Sequence, residues 1–145
     1  MNPLEIREYA PEDYNNVKTL WLKAGLVLSH SDTEKELHRV LPLNPQLFLV
    51  AEMNNRLIGT VLGTFDGRRG YVHHLAVIPE FQKKGIGTAL LDELENRYKK
   101  LNVVKIHLFI ETFNAGVESY YEKKGWSRRD DLIMMSKTLR SHSDD

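Results

Sequence analysis

Between Tyr71 and Tyr98 the apolar spacing of this chain changes from that of a strand to that of a helix. Tyr71 to Ile78 reads as a β-strand that Pro79 ends, and Ile86, Leu90, Leu94 and Tyr98 mark a long amphipathic helix. The connection, Glu80-Phe81-Gln82-Lys83-Lys84-Gly85-Ile86-Gly87-Thr88, is basic and carries two glycines. A strand that turns tightly into a helix is most simply read as part of an α/β architecture. The glycines let the backbone turn sharply and leave N–H groups pointing outward. The helix start adds unpaired N–H groups and the positive end of its dipole. With Lys83 and Lys84, this is a site for a phosphate or pyrophosphate. A plain turn with glycine at a helix start would read the same way. Two other phosphate motifs do not fit. A P-loop has Lys-Ser or Lys-Thr after its last glycine, whereas these lysines come before it. A dinucleotide fingerprint has a third glycine where this chain has Leu90.

The remaining elements follow from the same patterns. Leu4 to Tyr9 alternates apolar and charged residues, as a half-buried strand does. Pro11 suits a helix start, and Tyr14, Val17, Leu20 and Trp21 recur at helical spacing up to Gly25. Ser31-Asp32-Thr33-Glu34 has helix-capping chemistry, Leu37, Val40 and Leu41 form an apolar face, and Pro42 closes it. Leu47 to Glu52 and Arg56 to Phe65 are β-rich runs joined by Asn54-Asn55, a tight hairpin turn. Asp66 to Gly70 is a second turn. Val103 to Ile110 reads as a strand with Val104, Ile106, Leu108 and Ile110 on one face. Asn114 to Lys124 reads as a helix with Gly125 as C-cap, and Trp126 to Leu139 as a final strand. The predicted order is β-α-α-β-β-β-α-β-α-β: one α/β domain over residues 1–140 with a mixed central sheet, and a polar tail at 141–145. Ligand sites are expected at the ends of the strands that feed the two C-terminal helices.

Lys plus Arg and Asp plus Glu are 20 each, so the formal net charge is zero. A general nucleic-acid binder needs a basic excess, and no nucleic-acid partner is expected. There is no cysteine, which removes disulfides, thiolate metal sites and cysteine nucleophiles. No secretory signal is read at the N-terminus, and no apolar run is long enough to span a bilayer. A cytoplasmic protein without membrane association is the expectation. His30 and His38 lack partners at ligand spacing, so no metal is expected.

Two stretches carry a resemblance. Gln82-Lys83-Lys84-Gly85-Ile86-Gly87 matches the Q/R-x-x-G-x-G/A signature of the GNAT acetyltransferase superfamily, and Leu75-x-Val77-x-Pro79 resembles the strand ahead of it. Asn114 through Tyr121-Glu122-Lys123-Lys124-Gly125-Trp126 is similar to the family's N-x(6)-Y-E-x-x-G-F segment, with Trp in place of Phe. The element order matches over essentially the whole chain. The resemblance implies the GNAT fold, with a splay between the fourth and fifth strands, and acetyl-CoA as cosubstrate.

Carried over residue by residue, the backbone at Lys83, Lys84, Gly85, Ile86, Gly87 and Thr88 would hold the coenzyme A pyrophosphate, and Gln82 would fix the loop. Leu75, Ala76 and Val77 would line the splay, with Leu75 and Val77 offering backbone groups to the pantetheine arm. The Val77 amide would polarise the thioester carbonyl, because a preorganised donor stabilises the charge that grows on that oxygen. Tyr121 would donate a proton to the departing thiolate; adjacent Tyr120 points about a third of a turn away and cannot share that role. Asn114 suits either cofactor contact or an N-cap.

The base is less determined. His73, His74 and Glu111 are the candidates, each with an alternative structural role. Strand alternation puts His73 on one face with Tyr71, Leu75 and Val77 and turns His74 to the other. The helical region from Tyr14 to Leu41, with Trp21, His30, Asp32, Glu34, Glu36, His38 and Arg39, would shape the acceptor site; its acids equally suit a capped, exposed helix. The expected function is acetyl transfer from acetyl-CoA to a primary amine of a small molecule or peptide by direct attack. A non-catalytic acyl-CoA sensor of the same fold is the alternative, and would need no working Tyr121. A nucleotide-binding protein is disfavoured by the failed motifs. A homodimer paired through the last strand or a sheet edge is compatible with the sequence.

Overall fold

The computed structural model describes residues 3–140, and the predicted tail at 141–145 lies outside the described residues. The chain divides into two compact units between Leu108 and Phe109.

The first unit is built on one five-stranded sheet in the order β1-β2-β3-β4-β5. Its strands are β1 (Glu5–Glu8), β2 (Phe48–Met53), β3 (Arg56–Phe65), β4 (Gly70–Val77) and β5 (Ile106–Leu108). Pairing is antiparallel from β1 through β4, and β4 pairs with β5 in parallel. Asn54 and Asn55 have φ of 55° and 61°, the left-handed conformation that a two-residue hairpin turn demands. The helices of this unit are α1 (Tyr14–Lys23), α2 (Glu34–His38) and α3 (Ile86–Lys100). Arg7 of β1 clamps the start of α1. Its guanidinium donates to both Asp13 oxygens at 2.8 and 3.0 Å and to Glu52 of β2 at 3.1 Å. The Arg7 hydrogen bond is the main reason the Asp13 carboxyl stays below the usual carboxylate range.

The core lies on both faces of the sheet. On one face Val17, Leu20 and Trp21 of α1 are buried, and the Phe48 ring stacks 4.1 Å from Tyr9 and 6.2 Å from Trp21. On the other, α3 buries Ile86, Leu90, Leu94 and Tyr98. This helix approaches β3 closely because Gly63 has no side chain. A Cβ there would lie 2.6 Å from Leu94 Cδ1 and 2.7 Å from the Tyr98 hydroxyl. The Tyr98 hydroxyl lies 2.9 Å from the carbonyls of both Thr64 and Tyr71, which share its one proton, and so fixes the C-terminal end of α3 to β3 and β4. The start of α3 is thereby set next to the end of β4.

The second unit contains a 3-10 turn at Thr112–Val117 and the helix α4 (Glu118–Glu122). Gly125 follows at φ 93°, the left-handed C-cap expected there. Three expectations need correction. The fifth strand is shorter than predicted, and Val104, assigned to its apolar face, is 87% exposed. Asn114 is not the N-cap of a helix. It sits inside the 3-10 turn with φ −112° and ψ 25°, its amide donating to the Glu111 carbonyl at 2.8 Å. The final strand expected over 126–139 is absent, and Leu132, Ile133, Met134, Met135 and Leu139 are exposed. A strand exists only where another backbone completes its ladder, which alternating side chains alone do not supply. Among the described residues, no helix is long and apolar enough to cross a membrane.

Candidate active site

The site begins where β4 and β5 part. Their register covers only Gly70 with Ile106, Tyr71 with His107, and Val72 with Leu108. From His73 to Val77, β4 runs on past the end of β5 at Leu108 and leaves that edge unpaired with β5, as a splay between the fourth and fifth strands requires. On its other side β4 stays bonded to β3, as the Ile78 amide donates to the Ile58 carbonyl at 3.0 Å. Because antiparallel ladders alternate, the backbone groups of Val77 then face away from β3. The Val77 carbonyl accepts from Gln82 Nε2 at 2.8 Å. Gln82 therefore ties the loop to the strand end, and the Val77 N–H, not its carbonyl, is the group left facing the splay.

Beyond Gln82 the loop makes two left-handed steps, at Lys83 (φ 62°) and Gly85 (φ 85°), before α3 starts at Ile86. The space in front of Gly85 is open, since a Cβ built there would meet nothing within 4 Å. The Lys84 ammonium lies 5.3 Å from the Phe81 ring centre, a cation–π contact. Ile86 is buried and anchors the helix start in the core. The arrangement offers the first amides of α3 and two lysines to an anion.

On the α1 side of β4 the strand carries a bulge. Leu62 pairs with His73 and Thr60 with Ala76, so His74 and Leu75 together oppose Val61. His74 takes φ 49°, a costly conformation for a residue with a side chain. Thr60 Oγ1 donates to the His74 carbonyl at 3.2 Å and accepts from the Trp21 indole N–H at 2.9 Å. The Trp21 and His74 rings lie 4.7 Å apart. His74 Nε2 is 2.7 Å from Asp32 Oδ1. Burial by itself would raise the Asp32 carboxyl, but the His74 and Ser29 hydrogen bonds and the histidine charges outweigh it and hold it below the usual range.

The bulge corrects the expectation that alternation separates the two histidines. Residues paired across strands share a face. His73 thus joins Leu62, and its Nε2 lies 3.4 Å from Thr64 Oγ1, on the face where Trp21 meets His74. Val77 pairs with Gly59 and falls on the α3 face, not with His73. The His73 imidazole is pushed below its ordinary pKa, first by burial and then by His74, against an opposing pull from Asp32.

In the second unit, Tyr121 is half-buried and its ring packs 5.8 Å from Trp126. Its phenol is pushed up to about 12, chiefly by burial and then by Tyr120, and stays protonated at neutral pH. The Tyr120 ring instead takes the Lys124 ammonium at 5.3 Å. Glu111 is exposed, just before the 3-10 turn that holds Asn114. Among the described residues, no group of three or more His, Asp or Glu side chains is arranged to hold a metal ion.

Comparison with known proteins agrees with this geometry. The acetyltransferase (GNAT) family model matches residues 7–126. The chain belongs to the GNAT acetyltransferase family. An acetyltransferase of Pectobacterium atrosepticum is 39% identical over 136 residues, covering 94% of this chain and 96% of the relative. One from Sodalis glossinidius is 35% identical over the same span and coverage. The fold is similar to that of the PaiA N-acetyltransferase from Thermoplasma acidophilum in complex with coenzyme A. The TM-score is 0.79 at 22% identity, over 90% of this chain and 93% of that one.

For this GNAT acetyltransferase, the sequence singles out the loop and both histidines but not the contacts that Asp32 and Thr60 make with His74. Asp32 reads in sequence as a helix-capping acid, and Thr60 as an ordinary strand residue. Their partner His74 is 42 and 14 residues away. The only local signal was a pair of adjacent histidines inside a strand.

Proposed function

We propose that this chain transfers an acetyl group from acetyl-CoA to the primary amine of a small molecule or peptide, without a covalent enzyme intermediate. The observation that carries this reading is the end of β4. It has parted from β5, its Val77 N–H faces the splay, and Gln82 holds it to a basic loop at the start of α3.

In this reading, Lys83, Lys84, Gly85, Ile86, Gly87 and Thr88 bind the pyrophosphate, and the pantetheine arm lies along Leu75, Ala76 and Val77. The Val77 amide donates to the thioester oxygen as negative charge develops on it. His74 is the base that takes a proton from the acceptor. It is preferred over His73, whose depressed pKa makes it a weaker base, and over Glu111, which is exposed and shows no side-chain pairing among the described residues. Tyr121 protonates the departing coenzyme A thiolate, a task suited to a phenol that stays protonated up to about 12. Asn114 is assigned to cofactor contact through its motif position alone.

The test is thiol release from acetyl-CoA across a panel of primary amines, with product mass measured. A mass gain of one acetyl group on one amine class supports the reading. Acetyl-CoA binding with no acetylated product from any amine would favour the acyl-CoA sensor instead.

A further inference from the structure

His74 and Asp32 are held by several neighbours. The His74 carbonyl accepts from Thr60, its ring leans against Trp21, and its Nε2 meets Asp32 Oδ1 at 2.7 Å. The other carboxylate oxygen, Asp32 Oδ2, accepts from the Ser29 amide at 3.0 Å, and the Asp32 carbonyl accepts from the Tyr14 hydroxyl at 2.8 Å. The Asp32 side chain is 12% exposed, while that of His74 is 23% exposed. Both carboxylate oxygens thus have a partner, and the imidazole is the more exposed member of the pair. The left-handed φ of His74 costs free energy in a strand, and it is retained where it aims this ring at Asp32.

We propose that Asp32 is a positioning residue for catalysis: it fixes His74 as the Nε2–H tautomer, so that the Nδ1 lone pair takes the proton of an alkylammonium acceptor. This rests on the transferase reading above and adds the acceptor's charge state to it. A carboxylate only accepts hydrogen bonds, so Nε2 must donate and Nδ1 is left as the base. An alkylammonium gives one proton to Nδ1, directly or through water. The imidazolium so formed faces the Asp32 carboxylate, and it passes the proton to solvent. The neutral amine then attacks the thioester carbon. As the tetrahedral species collapses, the C–S bond breaks and the sulfur gains a proton while the nitrogen loses one. Of the three ammonium protons, one reaches solvent, one is balanced by the new S–H bond, and one stays on the amide.

Two measurements on the full chain test this. The first is the long-range nitrogen–proton spectrum of the His74 ring in the resting protein, compared with Asp32→Ala. The expected result is a single Nε2–H tautomer that becomes a mixture in the variant. An Nδ1–H tautomer in the unsubstituted protein, or no change in Asp32→Ala, overturns the proposal. The second is thiol release with putrescine, tyramine and alanine amide as probe acceptors, with acetyl-CoA binding measured on the same preparations. Asp32→Asn should lower kcat about 10²-fold, with acetyl-CoA affinity unchanged, and Asp32→Glu should recover part of the loss. Unchanged kcat in a folded Asp32→Asn protein overturns the dyad and leaves the transferase reading intact. Absence of acetyl-CoA binding in the unsubstituted protein overturns the transferase reading and the catalytic role of the dyad with it.

Discussion

The indole N–H of Trp21 donates to Thr60 Oγ1 at 2.9 Å, inside the core, and links α1 to the bulge of β4. Thr60 spends its own proton on the His74 carbonyl. One hydroxyl thus joins a buried helix to the only residue of β4 with a left-handed backbone and a side chain. Thr60→Val keeps the shape and removes both bonds, taking the acceptor from the buried Trp21 N–H and the side-chain donor from the His74 carbonyl. We expect a loss of about 1–3 kcal/mol in urea unfolding, together with lower turnover. Unchanged stability would mean that the bulge holds without Thr60.

Gly85 separates backbone strain from steric exclusion at the loop. Gly85→Ala places a Cβ in open space but keeps φ near 85°, so it should cost about 1–2 kcal/mol of backbone strain and weaken coenzyme A binding modestly. Gly85→Glu adds a negative charge where the pyrophosphate is expected and should abolish binding in a folded protein. Equal affinity of the two variants, by calorimetric titration, would place the phosphates elsewhere.

His73 gives a pH signature. Its folded pKa is depressed, so the unfolded chain binds more protons in the window below the ordinary histidine value. Its contribution is fully present above the unfolded pKa of about 6.5 and is lost as pH falls from there through the lower folded value. Asp32 and Asp13 are held below the usual carboxylate range and do not titrate in this window. Urea midpoints should therefore fall less between about pH 7.5 and about pH 5.5 in His73→Gln than in the unsubstituted protein. Identical falls would show that His73 is not buried as described.

Tyr121→Phe should reduce kcat by about 10²-fold with little change in acetyl-CoA affinity, the pattern of a group that acts mainly in the transition state. Full turnover in this variant would make Tyr121 a packing residue beside Trp126.

What could be read from the sequence follows from the range of each interaction. Asn54-Asn55, Gly125 and the α3 stripe of Ile86, Leu90, Leu94 and Tyr98 are local signals, and the structure has each of them. Gln82 was assigned a loop-fixing role from its motif, and its bond to Val77 spans only five residues. The bulge at His74 depends on β3 pairing and on Thr60, which no pattern within β4 encodes. Its neighbour Asp32 carries the letters of a helix cap, and it does accept from a turn amide at Ser29. That local role concealed the second one. The stretch 126–139 failed in the opposite sense, because an alternating pattern states a preference for a sheet face without supplying the partner edge.

The most direct test of the central claim is calorimetric titration of the full chain with acetyl-CoA. Saturable one-to-one binding, lost in Gly85→Glu and kept in Tyr121→Phe and Asp32→Asn, is the expected result. No heat of binding to acetyl-CoA by the folded, unsubstituted protein would contradict it.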